Sequence, residues 1–251
     1  MPAGETQATL RRCFVRRGLP RRIRVDNGTP WRSKGDLPTG LELWLAGLGV
    51  EVKANPPRRP QDNGVVERSQ GTGKRWAEPN RAASAEELQA TIDAMDRRQR
   101  ESYPYHGRAG RLAAHPDLEH SGRPYDESRE EECWSLEKAR DLLAGFVVPR
   151  RVDRSGMASV YGRNCYVGTA YAERVVHVRY DPQEQLWLFQ DGEGHQLNRR
   201  KAEEINAANI RGLMEAGRRD RSAASGEGKL GVGVSPDKLD VGINAAQLDV
   251  G

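Results

Sequence analysis

The sequence lacks long apolar runs, has few aromatic residues and contains almost no cysteine. No stretch of about 18 apolar residues occurs, so no helix is expected to cross a membrane. The N-terminus shows no basic-then-apolar signal pattern. Cys13, Cys133 and Cys165 lie far apart, which excludes a disulfide framework and a paired-cysteine zinc site. A reducing, cytoplasmic setting is therefore expected.

The composition is polar but leaves enough apolar material for a modest core. Hydrophobic residues make up 36% and charged residues 30% of the 251 positions, a length that allows one or two domains. The formal net charge is only +4, but the cations are unevenly distributed. Residues 11–34 contain nine lysines and arginines and a single acid, Asp26. A basic first half suggests a polyanionic partner.

Apolar periodicity and capping residues predict alternating helices and strands in the first 100 residues. Ser84 and Glu87 form a capping box that should start one of these helices. An extended linker follows at 101–126. A later helix is expected to place Trp134 and Leu142 inward. The predicted elements are a helix over 6–17, a strand over 21–26, a helix over 39–49, a strand over 50–54, and helices over 63–78, 84–100 and 128–144.

From residue 147 the period changes to that of short strands. Five apolar runs separated by Gly, Asp and Pro predict a small β-barrel. A helix over 202–214 follows, and the tail beyond Gly217 has few large apolar residues and is expected to be disordered. The fold class is therefore α/β. The predicted divisions are 1–100, a linker with a helix at 101–146, a barrel at 147–200, a helix at 201–216 and a tail at 217–251.

Asp26 is the acid that interrupts the basic stretch. It ends the predicted strand and is followed at once by Asn27 and Gly28. A carboxylate at a strand end with an open turn after it is well placed to hold a metal ion. The other interpretation is that Asp-Asn-Gly simply forms a tight turn.

Glu67 is the second acid of interest, about one turn into its predicted helix. At 100° per residue, Glu67, Gly71 and Lys74 share one stripe of the helix, while Arg68 and Arg75 occupy the next. This stripe could also be an ordinary solvated face with surface ion pairs. Two carboxylates together with substrate phosphates are ligands that Mg²⁺ favours. Arginine and lysine would then hold the phosphate backbone, as two-metal phosphoryl transfer requires.

Two segments together resemble a known family. "GLPRRIRVDNGTPW" followed by "LGVEVKANPPRRPQDNGVVERSQGTGKRW" is similar to the catalytic core of the DDE transposases and integrases. The resemblance is strongest to bacterial insertion-sequence transposases with a retroviral-integrase-type core, and it covers roughly residues 7–212. It implies a partial ribonuclease-H-like integrase core, followed by a small all-β barrel and a disordered tail.

The resemblance also implies roles for individual residues. Asp26 would be the second and Glu67 the third acid of a catalytic triad that binds Mg²⁺ or Mn²⁺, with their carboxylates within metal-bridging reach. The partners would be duplex DNA, as transposon ends and target, and a second copy of the chain or a full-length transposase. The implied DNA-binding residues are Arg58, Arg59, Arg68, Lys74 and Arg75.

One feature departs from the family pattern. Family members carry their first catalytic aspartate on the opening strand of the sheet, but the only acid upstream of Asp26 is Glu5. The resemblance therefore implies an N-terminally truncated core that lacks its first strands. The strand at 21–26 would then have an unpaired edge, and the chain alone is expected to be inactive.

Three functions remain open from the sequence. The first is a transposase or integrase fragment for DNA integration and recombination, from an intact family that cuts and joins DNA with Mg²⁺. The second is a non-catalytic DNA-binding protein or regulator derived from a transposase. The third is a remnant without function. The first two imply a bacterial cytoplasmic, nucleoid-associated location.

Overall fold

The computed structural model describes most of the chain. The described residues are 2–26, 28–31, 37–55, 64–214 and 248–249, without the side chains of 64–67, 69–70, 79 and 248–249. Two compact units divide the chain. We name them the helical unit (5–27, 50–133 and 227–251) and the β unit (1–4, 28–49 and 134–226).

Helices and strands are mixed along the described chain. Within these ranges no helix is both long and apolar enough to span a membrane. The helices are α1 (Ala3–Arg17), α2 (Gly40–Gly47), α3 (Gly64–Ala77), α4 (Ala85–Glu101), α5 (Arg111–Ala114), α6 (Glu130–Cys133), α7 (Leu136–Ala144) and α8 (Ala207–Arg211). The strands are β1 (Arg22–Val25), β2 (Glu51–Ala54), β3 (Val147–Arg151), β4 (Met157–Val160), β5 (Arg163–Tyr166), β6 (Val175–Asp181), β7 (Leu186–Gln190), β8 (Gln196–Lys201) and β9 (Leu248–Asp249).

The sheet of the helical unit has the order β2-β1-β9. β1 and β2 are parallel, and the alternation predicted for β1 is confirmed because Ile23 and Val25 are buried. β9 pairs antiparallel with the other side of β1. The predicted unpaired edge of β1 is therefore wrong: a strand from the far end of the chain pairs with it, which local periodicity could not indicate.

Helix α1 packs through one apolar face, as its period predicts. Leu10 and Phe14 are buried, and the Phe14 ring meets the edge of Tyr125 at a centroid distance of 5.8 Å. Gly18 ends the helix with a φ of +76°. A Cβ atom at Gly18 would lie 2.7 Å from the carbonyl oxygen of Arg123, so only glycine allows this close approach.

A buried ion pair joins α1 to the start of α6. The Arg11 guanidinium donates from Nε and Nη2 to the two carboxylate oxygens of Glu130, each at 2.9 Å. The Tyr125 hydroxyl donates to Glu130 Oε2 at 2.5 Å, and the Glu130 side chain is only 1% exposed. Burial, together with the Glu130 hydrogen bond and charge, raises the pKa of Tyr125. These three residues form one satisfied polar cluster inside the helical unit.

The β unit contains a four-stranded antiparallel sheet of order β3-β6-β7-β8 and a hairpin of β4 and β5. Arg150 Nε donates to Ser159 O at 3.1 Å, which links β3 to the hairpin. Asn198 Nδ2 donates to Tyr166 O at 2.8 Å, which links β8 to the other hairpin strand. The hairpin thus lies beside both edge strands of the sheet. A closed β-barrel stays a prediction, because no strand ladder among the described residues joins the hairpin to the sheet.

Five of the six strands in this region are those that the sequence predicts. The sixth, β8, was not predicted, because its sequence QLNRRK offers no alternation of apolar residues. It is stabilised by its pairing with β7 and by the buried side chain of Glu204. Glu204 accepts a hydrogen bond from Trp187 Nε1 at 2.8 Å and forms an ion pair with Arg200.

Helix α2 packs against Trp134 inside the β unit. Thr39 and Glu42 form a capping box at its start. Trp134 Nε1 donates to the carbonyl oxygen of Trp44 at 2.9 Å, and Trp134 is buried as predicted. A Cβ atom at Gly47 would lie 2.1 Å from Trp134 Nε1. Glycine at this position therefore makes room for the indole ring.

Two predicted helices are wrong in extent. The helix over 128–144 is interrupted, because Ser135 Oγ accepts from Lys138 N and starts α7 as a new helix. Leu142 is 37% exposed, so its predicted inward position is wrong. The helix over 202–214 is reduced to α8, which Asn206 caps. The predicted linker over 101–126 also contains α5 and a short 3₁₀ turn at Pro116–Leu118.

The boundaries of the two units differ from the predicted domain boundaries. Residues 28–49 belong to the β unit, whereas the predicted division placed them with the rest of 1–100. The predicted disorder of the tail lies outside the described residues, except at β9. There the two described residues form a strand.

Candidate nucleic-acid interface

Asp26 lies at the carboxyl edge of the small parallel sheet. It directly follows β1, and its side chain is exposed. Asn55 follows β2, and its backbone N–H donates to Val25 O at 2.9 Å. The carboxyl ends of two adjacent parallel strands therefore bring Asp26 and Asn55 to the same edge, which is where ligands bind in open α/β sheets.

Glu67 lies in the first turn of α3, within the same helical unit. Its side chain is outside the described residues, so the separation of the two carboxylates stays a prediction. Among the side chains that the structure describes, no group of three or more His, Cys, Asp or Glu residues could hold a metal ion. The described donors therefore supply one acid of the predicted pair, which is too few to assign a catalytic step.

The predicted DNA-binding residues of α3 are exposed. Arg68, Lys74 and Arg75 all face solvent, and none of them forms an ion pair with a residue that the structure describes. Arg75 Nε donates to the carbonyl oxygen of Gly71 at 3.3 Å, which keeps this side chain along the helix. Arg58 and Arg59 lie outside the described residues. We name Arg68, Lys74 and Arg75 the α3 cations.

Among the described residues, Gly71 contacts nothing that would explain a glycine within a helix. A Cβ atom there would meet no atom of this part of the chain within 4 Å, whereas one at Gly73 would lie 3.5 Å from Met95 Cε. Gly71→Ala should therefore raise the free energy of unfolding by about 0.5–1 kcal/mol, because alanine loses less backbone entropy in a helix. Urea denaturation measures the change, with Gly73→Ala as the packed comparison. A lower free energy of unfolding in Gly71→Ala would mean that the added methyl group clashes with a neighbouring atom.

The basic stretch at 11–34 is partly used for ion pairs within the helical unit, whereas its role as a polyanion-binding surface stays a prediction. Four of its nine cations form ion pairs with acids far away in the sequence. These pairs are Arg11 with Glu130, Arg16 with Asp93, Arg17 with Asp96 and Arg22 with Glu51. A carboxylate partner offsets part of a cation's charge, so these four arginines are weaker candidates for phosphate contacts than cations without such a partner.

A second group of cations lies on the β unit, on the outer face of its four-stranded sheet. We name this group, Arg151, Arg179, Arg199 and Lys201, the basic sheet face. All four side chains are exposed, and within the described part of the chain none forms an ion pair. The inner face of the same sheet holds Tyr180, Trp187 and Phe189, which are buried.

Strand register sets the spacing of the basic sheet face. Val147, Arg179, Leu188 and Arg199 form one row across β3, β6, β7 and β8. Because neighbouring strands are about 4.8 Å apart, Arg179 and Arg199 are separated by roughly 10 Å along this row. Asp181, at the end of β6, is an acid on this face, but its Oδ1 accepts from the backbone N–H groups of Gln183 and Glu184. The face is therefore positively charged on a rigid scaffold.

No residue of the predicted barrel is among the DNA-binding residues that the resemblance implies. Alternation in "VVHVRYD" was enough to assign Arg179 to the outer face, since Val176, Val178 and Tyr180 have the opposite parity. Arg199 and Lys201 could not be assigned in this way because β8 was not predicted.

No protein-family model matches the chain. Function is therefore inferred from its own residues and geometry. The relevant features are the basic sheet face, the α3 cations and Asp26 at the carboxyl edge of its sheet. Exposed arginines and lysines are the side chains that contact phosphates in nucleic-acid complexes, and a carboxylate is a hard oxygen ligand.

Proposed function

We propose that the chain binds duplex DNA through the basic sheet face, as a polypeptide derived from a DDE transposase or integrase. The observation that carries this proposal is four exposed cations, without described ion pairs, on one face of a rigid sheet. Such cations contact phosphates without reading bases, so binding should show little sequence preference. The sheet also fixes the spacing of these cations before DNA binds.

The relation to transposases is supported by the order of elements and by the position of Asp26. A parallel β1 and β2 pair, with Asp26 at its carboxyl edge and α3 after it, agrees with the ribonuclease-H-like core implied by the resemblance. Asp26 and Glu67 are the proposed acids, and Mg²⁺ or Mn²⁺ is the proposed ion. An ion of this kind neutralises charge on a phosphate that undergoes displacement.

A non-catalytic DNA-binding protein or regulator is the second candidate function. It is favoured by the fact that the basic sheet face contains neither Asp26 nor Glu67, so DNA binding requires no catalytic site. In this case the partner of the chain on DNA would be a full-length transposase or a second copy of the chain. With DNA as its partner, the protein would be found in the bacterial nucleoid, as the resemblance implies.

Replacing the α3 cations by alanine tests the contribution of the helical unit to DNA binding. The triple variant should bind a duplex more weakly, and the slope of log K against log salt should decrease by up to about 0.9 for each phosphate that is no longer neutralised. Fluorescence anisotropy with labelled duplex between about 50 and 200 mM salt measures both quantities. Arg81→Ala is the control, because Arg81 is exposed but already paired with Glu78. An affinity of the unaltered chain that does not change with salt would contradict the proposed function.

A further inference from the structure

An aromatic pair is exposed at the carboxyl ends of α3 and α4. The side chain of Trp76 is 36% exposed and that of Tyr103 is 49% exposed. Their ring centroids are 5.4 Å apart, with the rings tilted by 61°. The Arg98 guanidinium carbon lies 5.3 Å from the centroid of the Trp76 ring. We name Trp76, Arg98 and Tyr103 the aromatic patch.

The backbone at the end of α4 holds the aromatic patch in place. The N–H groups of Ser102 and Tyr103 both donate to Arg98 O, at 3.0 and 2.8 Å, which closes the helix and brings Tyr103 back towards Trp76. A Cβ atom at Gly110 would lie 2.4 Å from Arg100 O, so the following turn also folds back against α4. The patch is therefore built by local structure, although its rings remain accessible.

The segment that contributes Arg98 and Tyr103 to the aromatic patch is rich in arginine. Residues 97–111 contain five arginines and one acid, Glu101. Arg98, Arg108 and Arg111 form no ion pair with any residue described in the structure. Arg111 also lies 5.6 Å from the centroid of the Tyr105 ring, a second pairing of a guanidinium with an aromatic ring. This combination of open rings and cations distinguishes the patch from a site for an apolar protein segment.

We propose that the aromatic patch binds single-stranded nucleic acid by base stacking. Exposed rings contribute nothing to contacts with the phosphates of an intact duplex, because duplex bases are already stacked on one another. Unpaired bases present their faces to aromatic side chains, and arginines beside the rings bind the backbone phosphates. The patch therefore suits an unpaired strand, and it is separate from the basic sheet face proposed for duplex DNA.

Tryptophan fluorescence of the full chain with an oligothymidylate of about 12 nucleotides tests this proposal. Binding should quench the emission of the unaltered chain. The dissociation constant of Trp76→Phe, measured by anisotropy, should lie within about threefold of that of the unaltered chain, because phenylalanine also stacks on bases. The quenching should be lost in this variant, because phenylalanine has no indole emission. Trp76→Ala and Tyr103→Ala should each weaken binding by roughly fivefold to a hundredfold. Tyr166→Ala is the matched control, since Tyr166 is 55% exposed on the β unit and should change nothing.

Two results would overturn the proposal. The first is that Trp76→Ala binds the oligothymidylate as tightly as the Tyr166→Ala control does. The aromatic patch would then bind another kind of partner. The other is quenching that persists in Trp76→Phe, which would place the bases at another tryptophan. If Trp76→Ala fails to fold, as judged by circular dichroism, Arg98→Gln takes its place and must weaken binding severalfold. Failure of duplex binding alone would contradict only the proposed function, because the two surfaces share no residue.

Discussion

Glu130→Ala should destabilise the helical unit by about 3 kcal/mol, measured by chemical denaturation. The substitution removes the acceptor of Arg11 Nε and Nη2 and of the Tyr125 hydroxyl in a largely buried place, while Arg11 Nη1 keeps its bond to Gln7. Removing one member of a buried pair costs about 3–5 kcal/mol, because the remaining charge is uncompensated. Arg11 retains some access to solvent, so the lower end of this range is expected.

Glu132→Ala is the matched control for this prediction. Glu132 lies two residues further along and pairs with Arg129, but both side chains are well exposed. Exposed pairs contribute only about 0.2–1 kcal/mol, so a small change is expected. Replacing both Arg11 and Glu130 by apolar residues should cost less than the sum of the single changes. Equal effects of Glu130→Ala and Glu132→Ala would show that the buried cluster does not stabilise the unit.

The second large effect concerns strand transfer, which the 251-residue chain should not catalyse in Mg²⁺ or Mn²⁺. In-line displacement at phosphorus requires charge neutralisation at both the attacking and the leaving oxygen. Two proposed acids, Asp26 and Glu67, provide fewer ligands than two metal ions need, so the positions of the ions are not fixed. Product should therefore remain at the level of a reaction without protein.

A strand-transfer assay with labelled transposon-end DNA as substrate measures the amount of product. The assay compares the chain with a longer chain that carries a third acid on a preceding strand, which is expected to be active. Glu67→Gln and Asp26→Asn should abolish the activity of the longer chain and leave the shorter one unchanged. Metal-dependent nicking or joining by the shorter chain, abolished in Glu67→Gln, would contradict the prediction.

Local sequence signals were sufficient for much of the helical unit. The helices α1, α3 and α4 and the strands β1 and β2 each carry their own apolar period, cap or terminating residue, so they occur within about three residues of the predicted positions. The Ser84 cap is confirmed, because Ser84 Oγ accepts from Glu87 N. The predicted capping box is not completed, since the Glu87 carboxylate accepts from the backbone N–H of Ala83 instead of that of Ser84. These features depend on residues a few positions apart, which a sequence displays directly.

Features that depend on distant residues could not be predicted. The pairing of Arg11 with Glu130 joins positions 119 residues apart, and β9 pairs with β1 from the other end of the chain. Strand β8 is specified by its neighbour β7 and by Glu204 rather than by its own pattern. The same limit applied to the candidate interface. Arg151, Arg179 and Arg199 share one face only when the four strands β3, β6, β7 and β8 take their register. By contrast, Arg68 and Arg75 share a face through helical period alone.

The most direct test of duplex binding by the basic sheet face is a comparison of two triple variants of equal charge. One replaces Arg151, Arg179 and Arg199 by glutamine. The other replaces Arg81, Arg129 and Arg154, three exposed arginines that already pair with Glu78, Glu132 and Glu173. We expect the slope of log K against log salt to decrease by about 2–3 in the first variant and to change little in the second. Equal slopes and affinities in the two variants would show that net charge alone attracts DNA and that the basic sheet face is not its binding surface.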